Sequence, residues 1–77
     1  MLNPEHRTIE EETNLEIRRA VRRLPEKYRQ PVILYYSADL KTKEISECLR
    51  ISENTVKTRL RKARELLKKE LEGKIYG

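Results

Sequence analysis

Six side chains in one short stretch could do chemistry together: Asn54, Lys57, Thr58, Arg59, Arg61 and Lys62. They bring an amide, two ammoniums, a hydroxyl and two guanidiniums. Nothing in the set pairs a nucleophile with a base. What it offers is positive charge and hydrogen-bond donors, the means to hold an anion and to read donor and acceptor edges. Projected on a helix at about 100° per residue, Asn54, Lys57, Thr58, Arg61 and Lys62 point outward. Val56, Leu60, Ala63 and Leu67 form the opposite, inward stripe. Arg59 falls beside that stripe, near the expected place of Glu44, and reads as a pairing or phosphate-holding residue more than a reader of edges. Glu65 lies one turn beyond Arg61 on the outward face. A carboxylate there repels anions, so the anion-facing part should end before it.

The charge of the whole chain agrees with this stretch. The net charge is +5. Through Leu40 seven basic residues meet seven acids, so the whole excess lies in the second half. From Asn54 to Lys69 there are seven bases and one acid, Glu65. A stretch of one sign favours a polyanion such as nucleic acid. A basic solvated face with no partner is the alternative reading of the same residues.

At 77 residues the chain has room for one small core. Charged residues at 40% outnumber hydrophobic ones at 36%, so surface dominates. Two Gly and three Pro are too few for the turns of an all-β fold, and the apolar spacing is helical throughout. The expected fold is a small all-α domain of four helices. Cys48 is the only cysteine and His6 the only histidine, so the chain can form no internal disulfide and assemble no zinc site. Cys48 falls at an inward helical spacing and is expected as a small core residue. No apolar run approaches membrane-spanning length and no signal peptide is visible, which points to a cytoplasmic protein.

The elements that must position the basic stretch follow from the same spacing. Residues 1–8 read as a flexible tether. A first helix is expected over 9–23, ended by Leu24-Pro25, with acids near its start and Arg18 to Arg23 near its end, as the helix dipole favours. A second is expected over 25–36, opened by Pro25, with Tyr28, Val32, Ile33, Tyr35 and Tyr36 as apolar surface and a kink at Pro31. Thr42 suits the N-cap of a third helix over 43–50, on which Ile45, Cys48 and Leu49 share a face. Ser46 is small enough for a second helix to cross closely there. Ser52 suits the N-cap of a fourth helix over 53–71, with Ile51 and Val56 placed as a hydrophobic staple. Residues 72–77 read as a frayed tail.

Two short helices joined by about three residues, the second capped and stapled, make a helix-turn-helix. Arg50 stands where many such turns carry Gly. A left-handed backbone there would cost a non-Gly residue roughly 1 kcal/mol, so a different turn shape is expected. The long helix would enter a DNA major groove, where base edges carry a full donor and acceptor code. Arg61 suits a bidentate contact to guanine, Lys57 or Lys62 a single one, Asn54 adenine, and the Thr58 methyl thymine. Thr42 and Lys43, at the start of the preceding helix, are placed to hold backbone phosphate, which positions without reading sequence. A plain helical bundle with a basic solvated helix is the bland alternative.

The run "LPEKYRQPVILYYSADLKTKEISECLRISENTVKTRLRKARELLKKEL" resembles region 4 of bacterial sigma factors, most closely the extracytoplasmic-function (ECF) group. "LPEKYR", "KEIS" and "TVKTRLRKARELL" carry the resemblance, which covers about Leu15 to Leu71. It implies recognition of the −35 promoter element, docking on the β-subunit flap of RNA polymerase core, and masking by an anti-sigma factor. By position it implies that Lys57, Thr58, Arg61 and Lys62 contact bases and phosphates, with Asn54, Thr42 and Lys43 in support. Glu44 matches the family's usual Glu. Ser46 stands where Ala is usual, and Lys43 where an acid is frequent. Region 2 is missing, so on this reading the chain is an excised domain or a stand-alone region 4 that cannot start transcription by itself.

"KEISECLRISENTVKTRL" also resembles the DNA-binding domain of LuxR-type response regulators. That domain usually carries a Gly-containing link before the "KEI" helix and a less basic last helix. A rival of another class is an interaction module whose last helix docks on an acidic protein or an anionic membrane; the absence of an aromatic anchor on the apolar face argues against membranes. With no glycine-rich loop, nucleophile–base pair or metal cluster in view, neither an enzyme nor a cofactor or small-molecule substrate is expected.

Overall fold

The computed structural model describes the backbone of residues 9–76 and the side chains of residues 14–73. The tether expected over residues 1–8 lies outside the described residues. Four helices follow one another: α1 (Ile9–Arg23), α2 (Glu26–Tyr36), α3 (Thr42–Leu49) and α4 (Glu53–Tyr76). The described residues form an all-α fold, and α4 touches each of the other three helices.

The core collects one stripe from each helix. Ala20, Leu24, Val32, Ile45, Val56, Leu60 and Ala63 are buried, along with Pro31. Around Leu24 to Ala63 pack Val21, Tyr28, Leu34, Tyr35, Leu40, Leu49, Ile51, Leu66 and Leu67. Each large side chain taken fully from water contributes about 1.5–3 kcal/mol. The inward stripe of α4 is the one its spacing predicts, with Val56, Leu60 and Ala63 buried and Leu67 half-buried.

Pro25 caps α2 from outside, and its carbonyl accepts from the Tyr28 and Arg29 N–H groups. The helix runs on through buried Pro31, which forgoes one backbone bond to fill the core. Ile33 and Tyr36, expected in the apolar surface, stand out in solvent. On so short a helix the core takes the stripe of Tyr28, Pro31, Val32 and Tyr35, and these two fall outside it. Tyr36 still has company: its ring meets Tyr35 edge-on, with centroids 4.9 Å apart.

The start of α3 differs from expectation. Thr42 is its first helical residue, and Lys41 takes the N-cap place. Glu44 accepts from the Lys41 backbone N–H at 2.9 Å, the return half of a capping box. Lys41 has no side-chain oxygen to supply the other half. Cys48 is exposed, not in the core. The covered sector of α3 holds Thr42, Ile45, Ser46 and Leu49, and its middle lies roughly 100° around the helix from Cys48.

The turn after α3 has the left-handed shape that Arg50 was expected to avoid. Arg50 sits at φ 57°, ψ 44°. Its N–H and that of Ile51 both reach the Ser46 carbonyl, Ile51 at 3.1 Å, in the six-to-one bond of a Schellman end. Capping the helix outweighs a penalty of about 1–2 kcal/mol at one residue. Beyond the turn, α4 continues to Tyr76 where a frayed tail was expected. Gly73 weakens a helix interior by only about 1 kcal/mol and does not stop it.

Candidate nucleic-acid interface

Ser52 starts the site. Its hydroxyl accepts from the Thr55 N–H at 3.0 Å and shares a hydrogen bond with the Thr55 hydroxyl at 2.8 Å. Ile51 and Val56, either side of this cap, both pack in the core. Cap and staple fix where α4 leaves the turn, and its buried stripe fixes which way it is rotated. Asn54, Lys57, Thr58, Arg61 and Lys62 consequently all face solvent.

Each predicted residue has a definite state. The Thr58 hydroxyl donates to the Asn54 carbonyl at 3.0 Å, and the residue is exposed. Lys57 lies 4.0 Å from Glu53, and Lys62 3.9 Å from Glu65; both pairs are exposed and hold weakly. Arg61 has neither an ion pair nor a side-chain hydrogen bond among the described residues. Lys43 is exposed at the start of α3. Arg59 is half-buried, and Glu44, its expected neighbour, is taken up by the Lys41 N–H.

Thr42 is engaged differently from expectation. Its hydroxyl donates to Glu53 at 2.7 Å, a partly buried bond across the turn. A hydroxyl has one proton, so this bond leaves none for a phosphate. As at any helix start, the first N–H groups of α3 have no partner within the helix, and such groups favour an anion.

A groove of roughly 440 Å³ runs between α4 and the start of α2. Asn54, Thr55, Thr58, Arg59, Arg61, Lys62 and Glu65 line one wall. Lys27 and Tyr28 line the other. The Lys27 ammonium stands 5.0 Å from the centre of the Tyr28 ring, which holds it by cation–π attraction. Arg59 therefore belongs to this groove. Sequence spacing missed Lys27 and Tyr28, because it describes one helix at a time and their place depends on how α2 crosses α4. It missed Glu53 for the same reason.

Residues 14–67 match the protein family Sigma-70, region 4. The chain belongs to that family. Region 4 is a DNA-binding transcription domain of sigma factors, and the exposed, donor-rich face of α4 suits it. The chain is 40% identical over 68 residues to the ECF RNA polymerase sigma factor SigW of Bacillus subtilis (strain 168), covering 88% of this chain and 36% of that protein. It is 41% identical over 69 residues to the RNA polymerase sigma factor SigZ of the same organism, covering 90% and 39%. The chain thus spans little more than a third of the length of these curated relatives. Membership in region 4 decides against the LuxR-type resemblance. Among the described residues of this region 4 domain, no helix is long and apolar enough to cross a membrane.

Proposed function

We propose that the chain recognises the −35 promoter element as domain 4 of an RNA polymerase sigma factor and so contributes to transcription initiation. The exposure of Asn54, Lys57, Thr58, Arg61 and Lys62 on one face of α4, opposite buried Val56, Leu60 and Ala63, carries this reading. The face enters one major groove. Arg61 takes guanine, Asn54 adenine, the Thr58 methyl thymine, and Lys57 and Lys62 take bases or nearby phosphates. Lys43 and the first N–H groups of α3 hold phosphate on one side. Arg59 and Lys27 meet it across the groove beside α2.

A single module of this kind covers about 600–1,000 Å² and binds weakly alone. Tethering to polymerase core through the β-subunit flap raises its effective concentration on the promoter. An anti-sigma factor would act by covering the same domain. The site of action is cytoplasmic.

Fluorescence anisotropy tests the reading on two duplexes, one selected by the protein from a randomised pool and one scrambled. Arg61→Ala should cost about 1–3 kcal/mol on the selected duplex and little on the scrambled one. Lys43→Ala should weaken both alike and flatten the log–log salt dependence by about 0.9. Equal losses on both duplexes for both variants would reject the assignment.

A further inference from the structure

Glu53 was not among the residues expected to matter, yet it sits where the two DNA-facing helix starts meet. It is the first residue of α4, and its partner Thr42 is the first residue of α3. Their hydrogen bond, 2.7 Å long and partly buried, is the one side-chain hydrogen bond between α3 and α4 among the described residues. The same carboxylate oxygen, Oε2, lies 4.0 Å from the Lys57 ammonium one turn along. The N-terminal end of the α4 dipole offsets the charge of this carboxylate.

From this geometry we infer that Glu53 is a positioning residue for duplex recognition. Its carboxylate ties the phosphate-holding start of α3 to the base-reading start of α4 and steers Lys57 between them. The inference rests on the reading of α4 as the DNA-facing helix. The distance between a phosphate anchor and a base-reading side chain sets the register in which the helix meets the base pairs. A hydrogen bond that joins the two helix starts restrains that distance. A carboxylate on this face also opposes indiscriminate phosphate binding, because Lys57 must leave Glu53 before it can neutralise a phosphate. Glu53 therefore favours the matched duplex twice, by alignment and by restraint of a mobile cation.

The experiment compares Glu53→Ala, Glu53→Gln, Thr42→Val and Thr42→Ser on the selected and scrambled duplexes, with thermal melting of each variant. Glu53→Ala should lower the ratio of selected to scrambled affinity about tenfold. It should leave scrambled binding unchanged or up to about threefold tighter, with a salt slope steeper by at most about 0.9 as Lys57 is released to phosphate. Thr42→Val should lower the ratio by a similar factor, Thr42→Ser should restore it, and the double variant should be no worse than Glu53→Ala, since one bond is lost only once. Glu53→Gln keeps an acceptor for Thr42 and should keep most of the ratio while steepening the slope. If Glu53→Ala and Thr42→Val keep the wild-type ratio, or lose both affinities in proportion to a fall in melting temperature, the positioning role is overturned. If instead Lys57→Ala and Arg61→Ala leave binding to both duplexes intact, the DNA-facing reading of α4 itself has failed and the role of Glu53 falls with it.

Discussion

The two halves of α4 share one buried stripe and put their polar side chains to different uses. From Glu53 to Lys62 most donors point to solvent, and the side-chain bonds among the described residues stay within the helix, go to its Ser52 cap or reach the start of α3. Beyond Ala63 two side chains grip the rest of the fold. The Arg64 guanidinium donates to the Tyr36 hydroxyl at 3.0 Å, and Glu70 pairs with Arg23 of α1. Lys68 and Lys69 are as exposed as Lys57 and Lys62, so positive charge alone does not divide the halves. The division lies in tertiary commitment. A helix that is clamped at its far end can leave its near end unoccupied for a ligand.

The largest effect should come from breaking what the halves share. Leu60→Ala removes a buried side chain at their junction and should destabilise the domain by about 2–5 kcal/mol, measured by thermal or urea denaturation followed by circular dichroism. Loss of DNA binding should then follow the loss of folded protein, on any duplex.

A sharper comparison sets Arg61 against Arg64. Both are exposed arginines on the same helix, three residues apart. Arg61→Ala should leave stability within about 0.5 kcal/mol while reducing binding to the selected duplex. Arg64→Ala loses the bond to Tyr36 and should cost about 1 kcal/mol of stability, with binding at matched folded fraction changed less than about twofold. Should Arg64→Ala impair duplex binding as strongly as Arg61→Ala, the boundary drawn here between the halves is misplaced.

The smallest effect belongs to the clamp. Glu70→Gln keeps the shape of the side chain and removes its charge. Because the pair with Arg23 is partly exposed, the loss should be under about 1 kcal/mol and should shrink further in high salt. Melting curves at low and high ionic strength measure it. A loss that persists in high salt would mean that α1 is held by packing around Glu70 more than by its charge.

Much of this division could be read from residue order, for a physical reason. Helical spacing determines which side chains of a single helix share a face, so the outward set of α4 and its inward stripe were legible. Local caps were legible too, as with Ser52, because a hydroxyl and the N–H groups it satisfies lie within one turn. The contacts between helices were not. Lys27 and Tyr28 reach the groove, Glu53 reaches Thr42, and Arg64 reaches Tyr36 only through the crossing of helices whose angles no single-helix pattern contains. Cys48 shows the same limit from the other side: its spacing suits a core, but α4 covers a different sector of α3. Arg50 shows a weighing of terms. Steric preference argued against a left-handed bend, and the two N–H groups that the bend directs to Ser46 decided for it.

That left-handed arginine has an effect on motion. Glycine in its place would relax the local backbone, yet it would also let the joint between α3 and α4 swing through many more angles. A β-carbon at the pivot narrows the backbone angles open to that residue, at some cost in stability. Two gripping surfaces joined by a stiff pivot can approach the double helix already aligned, and lose less entropy when they close on it.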